Sequence, residues 1–330
     1  MSKILDDHKA SQALIIAAFA AVYLIWGSTY LGIRIAIETI PPFLMAGVRF
    51  LLAGAILYVW LRFTGVAKPT LAQWRSATLI GALLLLIGNG GVTWAEQTVP
   101  SGIAALVVAT VPLWMVVLDW IWYGMKRPNS ITMIGIGLGL TGMMVLIGLG
   151  DVRSERFDAF GLAALFFATM AWATGSLHSR KVNLPKSPFM STAMQMLCGG
   201  GLLFLAGLLS GEASTFSFSA LSTRSLVALA YLAIFGSLIA FTAYVWLLRV
   251  TTPARVSTYA YVNPVIALIL GYAFASEALT PRSILAAAII VAAVVLIIVN
   301  RAQTVTKTEP VASARTQTQP VAEVCLEKAA

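Results

Sequence analysis

Residues that perform most enzyme chemistry are scarce in this sequence. There are two histidines, His8 and His178, and two cysteines, Cys198 in an apolar run and Cys325 in a polar tail. This inventory provides neither a disulfide framework nor a C-x-x-C metal site. H-E-x-x-H, G-x-S-x-G and G-x-x-x-x-G-K-[ST] are all missing, so hydrolytic chemistry and ATP-driven pumping have no recognisable residues. The sequence predicts a protein that is not an enzyme and that has no metal and no cofactor.

Charged side chains are also rare, at 11% of 330 residues, whereas 59% of the residues are hydrophobic. A soluble core of this size needs much less hydrophobic surface, so the composition predicts a membrane protein. The net charge of +9 does not indicate nucleic-acid binding, because the basic residues are spread singly through short loops. We expect the lipid bilayer and a small-molecule substrate as partners, no nucleic acid, and a monomer or weak homodimer.

Ten apolar stretches are long enough to cross a bilayer as helices, which takes roughly 18 to 25 residues. They run from 13 to 36, 43 to 62, 77 to 95, 101 to 123, 130 to 149, 159 to 179, 189 to 209, 226 to 248, 255 to 275 and 282 to 299. The first is too long for the apolar region of a signal peptide, and we interpret it as an uncleaved anchor. The sequence therefore predicts an all-α membrane protein with ten transmembrane helices.

The second half of the chain faintly repeats the first. The stretch Trp26–Tyr30 (WGSTY) returns as Trp172–Ser176 (WATGS). Further matches at two constant spacings are Pro42 with Pro188, Phe43 with Phe189, Gly54 with Gly200, Pro100 with Pro253 and Pro128 with Pro281. Because each half has an odd number of spans, the second half enters the membrane from the opposite side, which predicts two inverted-topology five-helix repeats. Chance recurrence of proline and glycine in turns is the alternative.

The repeats and the basic residues together define a domain organisation. Repeat one covers 13–150 and repeat two covers 159–300, joined by a charged linker at 151–158. Residues 1–12 form an N-terminal segment, and the polar composition of 301–330 predicts a disordered tail. Lys and Arg concentrate before span one and after the even-numbered spans, which places both termini in the cytoplasm.

One motif in span five resembles a dinucleotide-binding fingerprint. Gly137-Leu-Gly139-Leu-Thr-Gly142 satisfies G-x-G-x-x-G, but it lies inside an apolar helix with no strand before it. Close packing of helices through small residues is the better interpretation.

Arg49 is a charged residue inside a predicted span. An arginine there costs on the order of 2.5 to 3.5 kcal/mol on insertion scales, so it needs a partner or a task. One interpretation is an ion pair with Glu96 or Glu38, and the other is a charge beside the substrate path, for example for a carboxylate. Glu96 at the end of span three is either such a partner or a site of proton coupling.

Aromatic and small polar residues occur together at membrane depth. Trp26, Trp114 and Trp172 fall deep in their spans, and Ser28, Thr29, Asn89, Thr93, Thr174, Ser176 and Asn263 lie beside them. Lipid penalises exposed polar groups, so these residues either line a cavity or form hydrogen bonds between helices. A cavity of this composition suits an amphipathic solute such as an amino acid or a drug-like cation.

Prolines occur near the middle of spans four and nine. Pro112 and Pro264 each remove a backbone hydrogen bond, which predicts a kink in both helices. Such paired kinks are typical of a binding site or a gating bend, although proline retained for packing is the alternative.

Five motifs follow one another in a characteristic order along residues 13–300. They are Trp26–Tyr30, Pro42–Gly54 with Arg49, Gly88–Gly102 (GNGGVTWAEQTVPSG), Val111-Pro112 and Tyr259–Pro264 (YAYVNP). This order of motifs resembles that of the drug/metabolite transporter superfamily, specifically of its EamA-type ten-span exporters. The resemblance implies two EamA repeats, a bacterial inner-membrane location, and export of amino acids, related metabolites or toxic compounds. Glu277 fits the family's acidic residue after the fourth span of a repeat, whereas repeat one has Gly124 there.

The sequence as a whole predicts an alternating-access transporter with a central cavity lined mainly by spans one, three, four, six, eight and nine. The predicted lining residues are Trp26, Tyr30, Asn89, Trp94, Trp114, Trp172, Tyr244, Tyr261 and Asn263, with Arg49 as the electrostatic feature. One alternative is a nucleotide-sugar or phosphorylated-metabolite exchanger, which would have further Lys or Arg facing the cavity. Another is a membrane sensor or assembly protein that transports nothing.

Overall fold

The computed structural model describes residues 12–124, 127–147, 158–251, 256 and 258–308, and regular structure within these ranges is helical. The helices of the first half are α1 Gln12–Ala36, α2 Pro42–Phe63, α3 Leu71–Ala95, α4 Ser101–Val108, α5 Val111–Tyr123 and α6 Ser130–Ile147. Those of the second half are α7 Ala159–His178, α8 Pro188–Leu209, α9 Thr223–Leu248, α10 Tyr259–Phe274 and α11 Pro281–Thr308.

Seven stretches within the described ranges are long and apolar enough to cross a membrane. They are α1, α2, α3, Ser101–Trp122, α7, α8 and α9. Three shorter apolar helices, Ser130–Gly142, Val262–Phe274 and Pro281–Ile297, lie where the sequence predicts spans five, nine and ten. The chain is therefore an all-helical membrane protein, and the count of ten spans stays a prediction.

Helices begin where the sequence supplies capping groups. Thr70 and Gln73 form a reciprocal capping box at the start of α3, and the side chain of Asp158 accepts hydrogen bonds from two main-chain N–H groups at the start of α7. Pro42 and Pro188 occupy the first turns of α2 and α8, where the missing N–H costs nothing. These two prolines fix corresponding helix starts in the two halves.

The two mid-span prolines behave differently. Span four is interrupted after Val108, and α5 begins at Val111 with Pro112 in its first turn, so the predicted kink at Pro112 is a break between two helices. Pro264 lies inside α10, which the structure keeps as one helix. The kink that the sequence predicts at Pro264 stays a prediction. Pro264 lies in the second turn of this helix, so a carbonyl of the first turn loses its donor.

Corresponding helices of the two halves pack antiparallel. A Cβ on Gly47 of α2 would approach Phe204 of α8 to 2.7 Å, and one on Gly54 would approach Met196 to 2.9 Å. The backbones of α2 and α8 therefore lie in close contact along their length. Only glycine permits this approach, because any side chain would separate the two helices.

Two glycines of the G-x-G-x-x-G motif, together with Gly135 before it, also serve helix packing. A Cβ on Gly142 of α6 would meet Ile290 of α11 at 2.7 Å, and one on Gly135, about two turns earlier, would meet Ile297 at 2.6 Å. Gly139 lies equally close to Leu113 of α5. Helix packing therefore accounts for Gly139 and Gly142 of the motif, whereas a Cβ on Gly137 would meet nothing within 4 Å.

Many of the helix contacts recur when the two halves are exchanged. Helices α2 and α8, α4 and α10, and α6 and α11 pack together, and each pair joins corresponding elements. Helix α1 packs on α9 and α10, and its counterpart α7 packs on α3 and on α4 with α5. Both halves thus contribute to the interior of the bundle.

The last helix is longer than the sequence predicts. Helix α11 continues to Thr308, so the expected disorder of the tail from residue 301 is wrong for its first eight residues. No proline or glycine interrupts 301–308, which lets the helix extend past the apolar stretch. The remainder of the tail, residues 1–11 and the linker at 151–157 lie outside the described residues.

Candidate functional site

A cavity of about 80 Å³ lies between the two halves, and we name it the central cavity. It is lined by Trp26, Thr29, Tyr30, Ile33, Arg49, Phe50, Leu85, Gly88, Asn89, Val92, Val108, Trp172, Gly236, Phe241, Tyr259 and Asn263. Helices α1 to α4 supply the first eleven of these residues, and α7, α9 and α10 supply the other five. Arg49, a predicted cavity residue, and Phe50 bring α2 into the wall, although span two is not among the spans that the sequence predicts to line the cavity.

Five aromatic side chains form one cluster beside this cavity, which we name the aromatic cluster: Trp26, Trp172, Phe241, Tyr244 and Tyr259. The ring of Trp26 is at its centre, with centroids 4.9 Å from Tyr244, 5.3 Å from Tyr259 and 6.0 Å from Trp172. Tilted and edge-to-face arrangements of this kind stabilise aromatic pairs by roughly 0.5 to 1.5 kcal/mol beyond simple burial. The cluster is therefore a rigid wall contributed by α1, α7, α9 and α10.

A larger cavity of about 380 Å³, which we name the vestibule, lies on the other side of this wall. Tyr244 lines the vestibule, and Tyr259 lines both cavities. Arg180 and Lys186 of the connection between α7 and α8 also line it, so the vestibule lies at the end of the bundle where that connection runs. The aromatic cluster separates it from the central cavity.

Arg49 is the charged group of the central cavity. Its side chain is 3% exposed. Nη2 donates a hydrogen bond to Oδ1 of Asn89 at 3.1 Å, and the guanidinium carbon lies 4.3 Å from the ring centroid of Phe50. Within the described ranges Nε and Nη1 have no hydrogen-bond partner.

Arg49 forms no ion pair within 4.0 Å with Glu96 or Glu38 in the described structure, although such a pair is one of the two interpretations of this residue. Among the described residues, one ion pair has nitrogen and oxygen within 4.0 Å, and it joins Glu38 to Arg224 at 3.4 Å. Glu38 belongs to the surface connection after α1 and reaches the start of α9 instead of the interior. Both carboxylate oxygens of Glu96 are buried without a hydrogen-bond partner in the described part of the chain.

Two asparagines position the backbone and the side chains around the cavity. Asn89 also lies within 3.4 Å of the hydroxyl of Thr93, one turn along α3. The side-chain nitrogen of Asn263, assigned from its surroundings, donates to the main-chain oxygens of Tyr23 and Tyr259 at 3.1 and 3.3 Å. Asn263 thereby ties α10 to α1 beside Pro264, where the helix has lost a backbone donor.

Wide helical turns border the cavity in both halves. Residues Ala82–Asn89 of α3 and Leu232–Phe241 of α9 are π-helical, and they occupy corresponding places in the two repeats. Short π-helical turns alter which side chains face a site and are frequent at functional positions. The indole nitrogen of Trp26 donates to the carbonyl of Gly236 in the second segment at 3.2 Å, which fixes α1 against α9.

The structure brings together most, but not all, of the predicted lining residues. Trp26, Tyr30, Arg49, Asn89, Trp172 and Asn263 line the central cavity, and Tyr244 lines the vestibule. Trp94 lies instead in a surface depression with Pro41 and Glu212. Trp114 packs edge-to-face on Phe166 at 5.0 Å and lines neither cavity. The side chain of Tyr261 lies outside the described residues.

Tyr259, Phe241 and Phe50 belong to the site although the sequence analysis did not select them. Tyr259 precedes Asn263 by four residues, so helical periodicity places both on one face of α10. That spacing could have identified Tyr259 from the sequence. Phe241 has no such signal, because its direction depends on the π-helical segment that ends at this residue.

Glu96 is the first residue after the span Leu71–Ala95 and is fully buried. Burial, together with the nearby negative charge of Glu277, holds the pKa of its carboxyl well above the ordinary value of 4.5, although Arg34 and Arg49 act in the opposite direction. A carboxyl with a raised pKa stays protonated in the folded state at a pH where the unfolded chain has released the proton. Folding is then coupled to proton uptake.

This coupling predicts how thermal stability depends on pH. Above pH 4.5 the unfolded chain binds fewer protons at Glu96 than the folded protein, so stability falls as the pH rises toward the folded-state pKa. Glu96→Gln removes this contribution, and we expect a higher melting temperature than wild type at neutral pH with a flatter pH profile. Thermal unfolding of detergent-purified protein at several pH values measures both. Parallel profiles for the two proteins would contradict the prediction.

Comparison with known proteins now identifies the family. The family model described as "EamA-like transporter family" matches residues 13–148 and again 159–299. The chain belongs to the EamA-like transporter family. The uncharacterized inner membrane transporter YedA of Escherichia coli K12 is 42% identical over 285 residues, which cover 86% of this chain and 90% of YedA.

More distant relatives are similar to this chain over nearly the same part of its length. Protein PecM of Dickeya dadantii is 26% identical, with 83% of this chain and 88% of PecM covered, and the uncharacterized transporter YvbV of Bacillus subtilis is 24% identical, with 84% and 89% covered. A protein of known crystal structure superposes with a TM-score of 0.60 at 21% identity, covering 86% of this chain and 97% of its own. That structure supports the fold alone.

EamA membership and the apolar helices make this chain a multi-pass membrane protein, and its similarity to YedA supports the inner membrane as its location. The relatives whose names describe an activity are named as transporters.

Proposed function

We propose that this chain is an alternating-access transporter that exports small amphipathic metabolites, most fittingly amino acids or related compounds. The observation that carries the proposal is the central cavity, because it lies between the two halves, combines aromatic walls with a buried cation, and adjoins a larger vestibule. Transporters built from inverted repeats bind their substrates at the interface between the repeats.

The helix contacts support ten spans in two inverted five-helix repeats. In such an arrangement corresponding helices run in opposite directions through the membrane, and those near the symmetry axis pack antiparallel on each other. The close contacts between α2 and α8, and between α6 and α11, have this geometry. The three shorter apolar helices complete ten spans if each of them crosses the bilayer.

Closure at one end of the bundle supports alternating access. Glu277 accepts hydrogen bonds from the main-chain N–H groups of Ser101 and Gly102 at 2.7 and 3.1 Å, where α4 begins. Glu212 accepts from the N–H groups of Phe43 and Leu44 at 3.1 and 2.9 Å, where α2 begins. Both carboxylates belong to the second half and bind helix starts of the first, where unpaired N–H groups favour an anion. The vestibule lies at the opposite end.

The distribution of basic residues assigns these two ends to the two sides of the membrane. Arg180 and Lys186 border the vestibule, and such an excess of positive charge is typical of cytoplasmic connections. We therefore propose that both termini are cytoplasmic and that the structure represents a state open to the cytoplasm. A solute would enter the vestibule from the cytoplasm and leave after the end held by Glu212 and Glu277 opens.

Flux through the reconstituted protein tests the proposed function. Purified protein in liposomes, assayed with a panel of radiolabelled amino acids, nucleotide sugars and lipophilic cations, is expected to move amphipathic amino acids above the rate of empty liposomes. An imposed pH gradient is a second arm, and accumulation that depends on it and on Glu96 would assign proton coupling. No flux of any solute would reject the transporter proposal in favour of a sensor or assembly protein.

One observation favours a second candidate function within the same superfamily. Arg180 and Lys186 provide positive charge in the vestibule beyond Arg49, as an exchanger of nucleotide sugars or phosphorylated metabolites would require. Phosphate groups pair with arginine more strongly than neutral ligands do. The nucleotide sugars in the panel distinguish this exchanger from an amino-acid exporter.

A further inference from the structure

The buried guanidinium of Arg49 has more hydrogen-bond donors than the described residues around it have acceptors to offer. Three contacts hold it: Asn89 accepts from Nη2, Phe50 lies beside the guanidinium carbon, and the surrounding helices leave 3% of the residue exposed. Nε and Nη1 are buried and have no acceptor in the described part of the chain. A buried, always charged group that lacks acceptors is costly, with unpaired buried polar groups losing roughly 1 to 3 kcal/mol each.

A purely structural role would require a counter-charge within the fold. No carboxylate oxygen of the described ranges lies within 4.0 Å of Arg49, and Asn89 is neutral. Glu96 influences Arg49 through space, but its oxygens form no hydrogen bond with it. Phe50 supplies only a ring face, which attracts a cation weakly. The described part of the fold therefore holds the Arg49 cation without a carboxylate in direct contact to neutralise it.

The repeat counterpart of Arg49 supports a specific role. Gln195 occupies the matching position in α8, lines the vestibule and donates from Nε2 to the hydroxyl of Ser191 at 3.0 Å. This neutral side chain has its partner within one turn of its own helix. If the buried charge served the packing of α2 on α8, both halves would be expected to carry it. Among the described residues that line the central cavity, Arg49 is the one Lys or Arg, and it gives one end of a bound solute a fixed position.

We infer that Arg49 binds a carboxylate group of the transported solute, with Asn89 orienting the guanidinium and the aromatic cluster enclosing the solute's apolar body. Arginine donors match a carboxylate in geometry and charge, and such charge-assisted hydrogen bonds are roughly twice as strong as neutral ones. The solute class is a monocarboxylate with an aromatic or branched apolar part. This inference rests on the proposed function, because it names the substrate class of the same cavity.

Asn89→Asp gives the sharpest test, because it adds a carboxylate next to Nη2 with almost no change of shape. The new carboxylate lies within hydrogen-bond distance of Arg49 and competes with a ligand for its charge. We expect Asn89→Asp to raise the melting temperature of the purified protein and to abolish carboxylate binding. Arg49→Gln is expected to weaken binding by about tenfold to a hundredfold, the loss typical of a charge-assisted contact, and Arg49→Lys by less.

Three probes that share a phenyl group distinguish the contribution of a ligand's carboxylate from that of its ammonium group. L-phenylalanine carries a carboxylate and an ammonium, phenylpyruvate carries the carboxylate alone, and phenethylamine carries the ammonium alone. Ligand-induced thermal shifts in chloride-free buffer are expected for phenylalanine and phenylpyruvate with wild type, and these shifts should be lost in Arg49→Gln and Asn89→Asp. Leu52→Ala, at a position of α2 that is 51% exposed, is a control for general effects of substitution in this helix.

The outcomes separate this inference from the proposed function. Equal shifts with phenethylamine, equal shifts with sodium chloride alone, or unchanged carboxylate binding in Arg49→Gln would overturn the carboxylate site even if the protein transports other solutes. No flux of any panel member through the wild-type protein would instead overturn the transporter proposal. If Arg49→Gln does not fold, Arg49→Lys and Asn89→Asp provide the same comparison with the positive charge kept.

Discussion

Gly200→Leu is expected to destabilise the protein by at least about 3 kcal/mol, at the upper end of the cost of overpacking a tight interface, whereas Gly201→Leu is expected to have little effect. A Cβ on Gly200 would lie 2.9 Å from the main-chain nitrogen of Leu51 and 3.0 Å from Cβ of Phe50. Backbone atoms of α2 cannot move aside as a flexible side chain would. A Cβ on Gly201 has nothing within 4 Å.

The two variants form a matched pair. Each replaces a glycine of α8 with leucine at adjacent positions, so the change in helix propensity is the same in both. Thermal unfolding in detergent and the monodispersity of the purified protein measure the difference. Because Arg49 and Phe50 stand beside this contact, Gly200→Leu should also impair any transport that the protein retains. Equal stability of the two variants would show that α2 and α8 are not in the close antiparallel contact described above.

Trp172→Ala is expected to reduce solute flux at least about tenfold while the protein still inserts and folds. The indole of Trp172 lines the central cavity and contacts Trp26 edge-to-face at 6.0 Å. Its removal widens the cavity and leaves Trp26 without one of its neighbours. Loss of aromatic area and of edge-to-face contacts weakens the enclosure of an amphipathic solute by several kcal/mol.

Two other tryptophans are controls for this result. Trp122 is 62% exposed, so Trp122→Ala is expected to leave flux unchanged. Trp114 packs on Phe166 away from both cavities, so Trp114→Ala is expected to lower the melting temperature but to preserve flux. Initial rates in proteoliposomes, normalised to inserted protein, compare all three. Wild-type flux in Trp172→Ala would exclude Trp172 from the transport path.

Several parts of this picture follow from sequence patterns that have a direct physical cause. Long apolar runs predict membrane helices, because lipid leaves backbone polar groups no partner outside a helix. The prolines at 42 and 188 predict helix starts, and the breaking effect of Pro112 follows from its missing N–H. Small polar and aromatic residues at membrane depth identify Trp26, Asn89 and Trp172 as neighbours of one cavity.

Other parts depend on how the helices pack, and no local sequence pattern indicates them. Trp114 lies as deep in its predicted span as Trp26, yet it packs on Phe166. Trp94, another aromatic residue of the predicted lining, faces a surface depression. The π-helical turns at Ala82–Asn89 and Leu232–Phe241 rotate the residues that follow them. Helical periodicity counted with regular turns therefore does not place Phe241 in the aromatic cluster.

The sequence by itself determined that this chain is a helical membrane protein with a repeated, EamA-like order of motifs, because hydrophobic length and turn residues act locally. Only the tertiary structure decided that Glu38 pairs with Arg224 and leaves Arg49 without a carboxylate partner. The distances between these groups are set by antiparallel packing of helices far apart in the chain. Whether a buried charge has a counter-charge depends on the positions of all the neighbouring helices, which the sequence does not specify locally.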